Sequence, residues 1–383
     1  MYAKLVTYAN TVNANTFYYG LMNVITGAIT TASGLDPTYF NIAASNVVTT
    51  TPTGWTIWDS APSANIIANC QPKVIAAPIS DVPGQYKYLW MGQVSSTTTN
   101  PCVQFIPTEG WANSTHVAGN NTFGYIPTVT NANSVFNMSP CQIGNANTGM
   151  VTIVSASNNH LFVWTSSNLT GTFGGMIFCS EFTRDDPWNT TSNPINLPNW
   201  FLDGIATGQG GTAMVPTTGS TQAVLSSSSV ATIIPRWYDP NTKTQYTPYY
   251  QTGSGTNNGR YSISTRFGPY IPSSGTVTLP FGGGLGFGTS IGNYFTVSNP
   301  TYTNDSANNF SYPMSELRVI PQLTSAAGVP MSAYGSISTK SPFIYAIASP
   351  SNWVSLDEFS FSGSNWTLCR MGTGGGYVAV KQA

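Results

Sequence analysis

Charge is what this sequence has least of. Asp, Glu, Lys and Arg make up 7% of its 383 residues, 13 acids against 12 bases for a net charge of −1, where ordinary soluble domains carry about 25%. The bases are scattered singly along the chain. Nucleic-acid binding needs clustered Lys and Arg that displace counterions from phosphate, so that partner class is not expected. Histidine is scarcer still: His116 and His160 are the only two, which leaves little for acid–base or metal chemistry. The five cysteines, Cys70, Cys102, Cys141, Cys179 and Cys369, are far apart and form no CxxC or Cys/His cluster. Neither a zinc site nor a disulfide framework is signalled, and free, mostly buried thiols are expected. Long apolar runs are also missing. No window is apolar enough for a membrane-spanning helix. The opening Met1–Asn10 segment lacks the basic start and apolar core of a secretory signal, so folding in the cytoplasm is expected.

What replaces charge is Asn, Ser, Thr and 37 Gly, interspersed with 20 Tyr, 18 Phe and 10 Trp. A surface built this way is rich in hydroxyls, amides and aromatic rings. It suits contact with other protein copies or with sugars better than free diffusion, where net charge keeps molecules apart. Sequons such as Asn113-Ser114-Thr115, Asn168-Leu169-Thr170 and Asn189-Thr190-Thr191 follow from this composition and are expected to go unused without export.

Helix signals are few. Phe17, Leu21, Val24 and Ile25 recur at helical spacing within Asn13–Gly27, with Asn13 or Asn15 as N-cap and Gly27 as stop. A second short helix is predicted over Pro37–Ala44, with Asp36 as its cap. The rest reads as short apolar and aromatic runs broken by Gly, Pro, Asn and Ser. Predicted strands are Trp55–Trp58, Val74–Ala77, Tyr88–Met91, Val103–Ile106, Val151–Val154, Leu161–Thr165, Met176–Phe182, Val230–Ile234, Arg260–Arg266, Gly275–Leu279, Ser315–Val319, Phe343–Ala348 and Tyr377–Val380. The expected fold is mainly β: two β-sandwich or barrel-like domains with a short N-terminal helix. Residues 1–206 would form the helix plus a β-rich domain, 207–229 a Gly/Ser/Thr-rich linker or long loop, and 230–383 a C-terminal β-rich domain.

Motifs with chemical potential are weak. Gly288-Thr289-Ser290-Ile291-Gly292 has the spacing of a nucleophile elbow. That motif needs an acid and then a histidine downstream, and both histidines precede Ser290. The surrounding glycine-rich run has no Lys-Ser or Lys-Thr behind it, so a packed glycine turn is expected in place of a phosphate loop. Glu109 and His116 lack the spacing of a metal pair. Asp185-Asp186 and Asp357-Glu358 are the adjacent carboxylates. Glycoside cleavage needs two carboxylates facing across a sugar beside aromatic platforms, and Trp188 and Trp200 flank the first pair. The preferred reading of Arg184–Trp188 is a structured turn in which the aspartates cap the backbone. No catalytic, cofactor-binding or metal residue is therefore expected, and the chain is not expected to be an enzyme.

In order along the chain stand Gly54-Trp55-Thr56-Ile57-Trp58-Asp59, Lys73-Val74-Ile75-Ala76-Ala77-Pro78, Tyr86-Lys87-Tyr88-Leu89, Glu181-Phe182-Thr183-Arg184-Asp185-Asp186-Pro187-Trp188 and Tyr377-Val378-Ala379-Val380. With the N-terminal helix before them, these segments resemble structural proteins of tailed-bacteriophage virions, of the tail, baseplate or fibre-associated kind. The resemblance implies a non-enzymatic, homo-oligomeric subunit, located in the virion after assembly in the host cytoplasm. Its partners would be itself and other virion proteins, with no cofactor, no nucleic acid and no membrane insertion. A capsid or capsid-decoration protein is one alternative. A carbohydrate-binding or polysaccharide-degrading tail protein, meeting host-surface carbohydrate, is another.

Overall fold

In a computed structural model, the described residues are 1–9, 14–49, 52–61, 71–80, 83–93, 102–108, 110–118, 141–142, 149–166, 168–181, 200–206, 214–215, 223–224, 231–233, 237–239, 244–246, 260–265, 314–324, 330–331, 337–338, 343–347, 354–371 and 376–382. From 200 to 338, and at some other strand positions, the backbone alone is described.

The fold is mainly β, with antiparallel sheets and, among the described residues, one α-helix. The strands up to residue 206 are β1 (Tyr2–Val6), β2 (Asn46–Val48), β3 (Thr56–Asp59), β4 (Lys73–Pro78), β5 (Tyr86–Gln93), β6 (Cys102–Thr108), β7 (Trp111–Ala112), β8 (Val117–Ala118), β9 (Cys141–Gln142), β10 (Val151–Ser157), β11 (His160–Ser166), β12 (Phe173–Glu181) and β13 (Trp200–Ala206). Beyond them come β14 (Met214–Val215), β15 (Ala223–Val224), β16 (Ala231–Ile233), β17 (Trp237–Asp239), β18 (Thr244–Tyr246), β19 (Arg260–Thr265), β20 (Met314–Thr324), β21 (Pro330–Met331), β22 (Ile337–Ser338), β23 (Ile344–Ile347), β24 (Glu358–Phe361), β25 (Ser364–Met371) and β26 (Gly376–Lys381).

The helix α1 (Ala14–Ile25) forms where the apolar spacing predicts it. Phe17, Leu21, Val24 and Ile25 are all fully buried. It stops at Gly27, whose φ of 73° is the left-handed conformation a helix stop favours. Asn15 lies inside the helix and Asn13 outside the described residues. The helix predicted over Pro37–Ala44 does not form. Asp36 caps as expected, with its Oδ1 2.9 Å from Thr38 N and its carbonyl accepting from Phe40 N at 2.8 Å. The next residues are then claimed by tertiary contacts. Phe40 bridges to Thr7, Asn41 N donates to Val6 O at 2.8 Å, and the Phe40 ring sits 5.1 Å from Tyr39 and 6.3 Å from Phe17 in the core. Two turns result.

Three layers carry the described core. The middle layer is a seven-stranded sheet, β16-β13-β12-β11-β10-β1-β2. One of its faces presents Ala3, Leu5, Val154, Ala156, Leu161, Val163, Ile177 and Cys179, and packs against α1 and the five-stranded sheet β3-β4-β5-β6-β9. Its other face meets the C-terminal sheet. Tyr2 Oη lies 2.7 Å from Thr367 Oγ1, Trp164 Nε1 donates to Arg370 O at 2.8 Å, and the His160 ring stands 5.6 Å from Phe343. Coverage on both sides explains why β10 and β11 are buried almost residue for residue, without the polar alternation of a half-exposed antiparallel sheet.

Most of the predicted strands lie on observed ones; Gly275–Leu279 lies outside the described residues. Most of 207–229 lies outside them too, and the described part is the two-residue pairing of β14 with β15. After that stretch the chain rejoins the middle sheet, because β16 pairs with β13.

A close approach occurs at Gly54, where the chain enters β3 with a φ of +77°. A Cβ there would stand 1.5 Å from Asn158 Oδ1 and 3.0 Å from Asn158 Cα. Asn158 is in the β10–β11 turn, against which Trp55 docks by donating Nε1 to Ser157 O at 3.0 Å and His160 O at 3.2 Å. Gly54→Ala adds a left-handed backbone penalty of about 1–2 kcal/mol to displacement of that turn. We expect a loss of about 2 kcal/mol or more in urea unfolding; an unchanged midpoint would contradict the close approach.

Candidate functional site: an anchored histidine beside an aromatic cluster

The tripeptide Tyr86-Lys87-Tyr88 alternates, so strand geometry puts both tyrosines on one face of β5 and the lysine on the other. On the inner face Lys87 is fully buried. Its Nζ donates to Glu181 on β12 and to Pro78 O, the latter at 2.6 Å. Glu181, 1% exposed, also accepts from Ser80 N at 3.2 Å and from Ser80 Oγ at 2.5 Å. The pair bridges two sheets and is closed off from solvent.

On the outer face, register places Tyr88 opposite Ala76 and Ala76 opposite Thr56, while Val74 faces both Trp90 and Asp59. The pairing of β3 with β4 slips between Ile57 and Asp59, leaving Trp58 as the extra residue of a bulge. Bulges re-aim side chains. Here Trp58 lies against Tyr86 at 4.8 Å and Tyr88 at 5.3 Å between ring centroids, and the two tyrosines are 6.0 Å apart. All three rings are half-buried. Trp58 Nε1 is buried with no hydrogen-bond partner among the described residues. Burial, with the neighbouring Tyr86, pushes the Tyr88 phenol above its ordinary pKa.

One residue along, Asp59 anchors the β7–β8 hairpin. Its side chain is 4% exposed. Oδ2 accepts from Trp111 Nε1 at 2.7 Å and lies 2.7 Å from His116 Nδ1, while Oδ1 accepts from Ala61 N at 2.9 Å. Burial alone would raise the Asp59 pKa; the hydrogen bonds from His116, Trp111 and Ala61 outweigh it and hold the carboxyl below its ordinary value. Asn113 Nδ2 ties the same hairpin to Trp58 O at 2.9 Å. His116 is held at a φ of +55°, uncommon for a non-glycine residue, with a half-exposed side chain. The carboxylate fixes Nδ1 as the protonated nitrogen. In the neutral ring this leaves Nε2 as an acceptor, and it makes no hydrogen bond among the described residues.

Elsewhere the singled-out residues separate. His160 is fully buried in the middle sheet, between Ser155 Oγ at 2.9 Å and Ser157 Oγ at 2.7 Å. Burial, and then the positive charges of the N-terminal amine and Lys87, pull its pKa down to about 3. It is a neutral structural residue. Cys179 and Cys369 are buried free thiols; burial pushes Cys179 up to about 12, which removes it as a thiolate nucleophile. Asp357 and Glu358 do not face each other across a cleft: Asp357 accepts from Val354 N at 2.9 Å to close a turn, and Glu358 pairs with Lys4 at 3.6 Å on the surface. Asp185, Asp186, Trp188, Ser290, Glu109 and Cys70 lie outside the described residues, as do the side chains of Trp200, Cys102 and Cys141. Among the described residues, no group of three His, Cys, Asp or Glu is placed to hold a metal ion, and no helix is long and apolar enough to cross a membrane.

Sequence reasoning set His116 beside Glu109 and missed Asp59, 57 residues away. The legible signal was Tyr-Lys-Tyr, whose alternation marks a strand with an aromatic outer face. The bulge at Trp58 and the hairpin anchor had none. No protein-family profile matches this chain, and no curated protein matches it.

The pH behaviour follows from His160. Its folded pKa of about 3 lies below the unfolded 6.5, so the unfolded chain takes up the proton first. Stability is complete above pH 6.5 and falls as pH drops toward 3. Between pH 7 and 4 the loss from this residue is on the order of 3 kcal/mol. Asp59, with its lowered pKa, adds its own loss only as pH falls below its unfolded value of 3.8. Urea unfolding across this range should show the decline, and His160→Gln should flatten it between pH 6.5 and 4. An equally steep decline in that variant would contradict the assignment.

Proposed function

We propose that this chain is a structural component of a bacteriophage virion, of the tail, baseplate or fibre-associated kind, and that it works by packing against copies of itself and other virion proteins. The observation that carries the reading is a sheet edge with exposed apolar side chains. β24 ends the C-terminal sheet, and among the described residues β25 is its one strand partner. It reads Glu-Phe-Ser-Phe, in regular register and with no Lys or Pro. Free-standing proteins protect edges with those residues or with bulges. The one charge in β24, Glu358, is paired with Lys4. Val354 and Phe361 beside it are 60% and 48% exposed. Interface cores favour aromatic rings and disfavour Lys and Glu, and a chain with 7% charged residues supplies such surface widely.

Within this reading, 1–206 and 230–383 are two β-rich units joined through 207–229, with β16 at the start of the second pairing onto β13 of the first. The low charge, the β-rich fold and the resemblance to tail components favour the tail over the capsid. A major capsid protein lining a genome needs a basic face, which 12 scattered bases do not provide. The subunit is not an enzyme in this reading, in keeping with the buried thiols and the buried His160.

The test is light scattering on the purified chain at low salt and at ~1 M salt, where the Debye length is ~3 Å. Apolar contacts hardly respond to screening, so an oligomer burying more than ~1,000 Å² per contact should persist at both. Phe361→Lys should weaken it. A monomer at both salts, soluble at high concentration, would refute the proposal.

A further inference from the structure

We infer that the outer face of the β3–β5 sheet, built from Trp58, Tyr86, Tyr88, Asn113 and His116, is a binding site for a neutral sugar ring of a surface polysaccharide. This does not rest on the virion proposal, since β24 lies in a different sheet.

Two kinds of group meet there. The first is a set of aromatic rings with centroids 4.8–6.0 Å apart, tilted by 45° to 78° to one another, half-buried and mounted on strands. A hexose presents one face of C–H bonds, and that face stacks on the face of a single ring without needing charge, while the tilted neighbours wall its side. The second is a set of polar groups at the rim. His116 is held by Asp59, and Asn113 by the Trp58 carbonyl. Each is locked before any ligand arrives, which lowers the ordering cost of binding. His116 Nε2 offers an acceptor to a sugar hydroxyl. The Tyr88 phenol, neutral at physiological pH like any tyrosine, offers both a donor and an acceptor.

Charge selects the ligand class. The one buried cation of β5, Lys87, points to the opposite face and is neutralised by Glu181. The outer face keeps a carboxylate already satisfied by three donors. The nearby Lys73 ammonium is engaged with Ser60 O and His116 with Asp59, so the set is matched to a neutral hexose, which needs no counter-charge.

The full chain is titrated calorimetrically with maltohexaose, cellohexaose, mannan and galactan. We expect at least one to bind with an affinity unchanged by salt. Trp58→Ala and Tyr88→Ala should each weaken it by about tenfold or more, His116→Ala should weaken it less, and Leu169→Ala, elsewhere on the surface, should leave it unchanged. Circular dichroism checks that each variant folds. The unaltered chain gives a second readout: bound oligosaccharide should shield Trp58 from oxidation by N-bromosuccinimide, read by peptide mass spectrometry. Three outcomes overturn the inference: no binding to any of the four, binding that survives both aromatic truncations, or a Trp58→Ala variant that changes oligomer mass but not sugar affinity.

Discussion

The buried ion pair between Lys87 and Glu181 is the constraint around which the described structure is arranged. Taking an ammonium and a carboxylate out of water costs several kcal/mol each, and their attraction offsets this only when further hydrogen bonds complete both groups. That condition is met. Lys87 also donates to Pro78 O, and Glu181 also accepts from the backbone and hydroxyl of Ser80. The Trp55 ring lies 5.9 Å from the ammonium. Because either ion alone would be uncompensated, β5 and β12 cannot separate or slip by one residue without exposing or stranding a charge.

That fixed register has effects on both sides. A one-residue slip would turn Tyr86 and Tyr88 inward and Lys87 outward. With Lys87 held inside, the tyrosines stay on the outer face, where the Trp58 bulge and the Asp59-anchored hairpin complete the aromatic surface. On the inner side, the five-stranded sheet is locked to the middle sheet over α1. The middle sheet is then covered on its far face by the C-terminal strands, through Tyr2, Trp164 and His160.

The β-rich class, the single substantial helix and most described strands were legible in the sequence, because they rest on local periodicity. Phe17, Leu21, Val24 and Ile25 announce α1, and the apolar runs at 151–154 and 161–165 announce two strands. The Pro37–Ala44 turn was misread because Asp36 supplied a true capping signal while Phe40 was drawn away by contacts with Thr7 and Phe17. The site was less legible. Asp59 and His116 meet through a hairpin packed on a bulged strand, and the Lys87–Glu181 pair joins residues 94 apart. Local pattern carries no record of such encounters. The carboxylates near Trp188 and the glycine motif around Ser290 offered stronger local patterns than any of these residues.

The proposed functions both start from a chain with few charged residues, of which Asp59, Lys87 and Glu181 are buried. The most direct measurement is a double-mutant cycle on the ion pair, with Lys87→Met, Glu181→Leu and both together, followed by urea unfolding. The account predicts that each single change costs about 3–5 kcal/mol by stranding its partner. The double change should cost far less than the sum, and Tyr86 and Tyr88 should become more accessible to nitration in the single variants. Single changes near zero that simply add in the double would contradict the claim that this pair sets the register of β5 and the surface built on it.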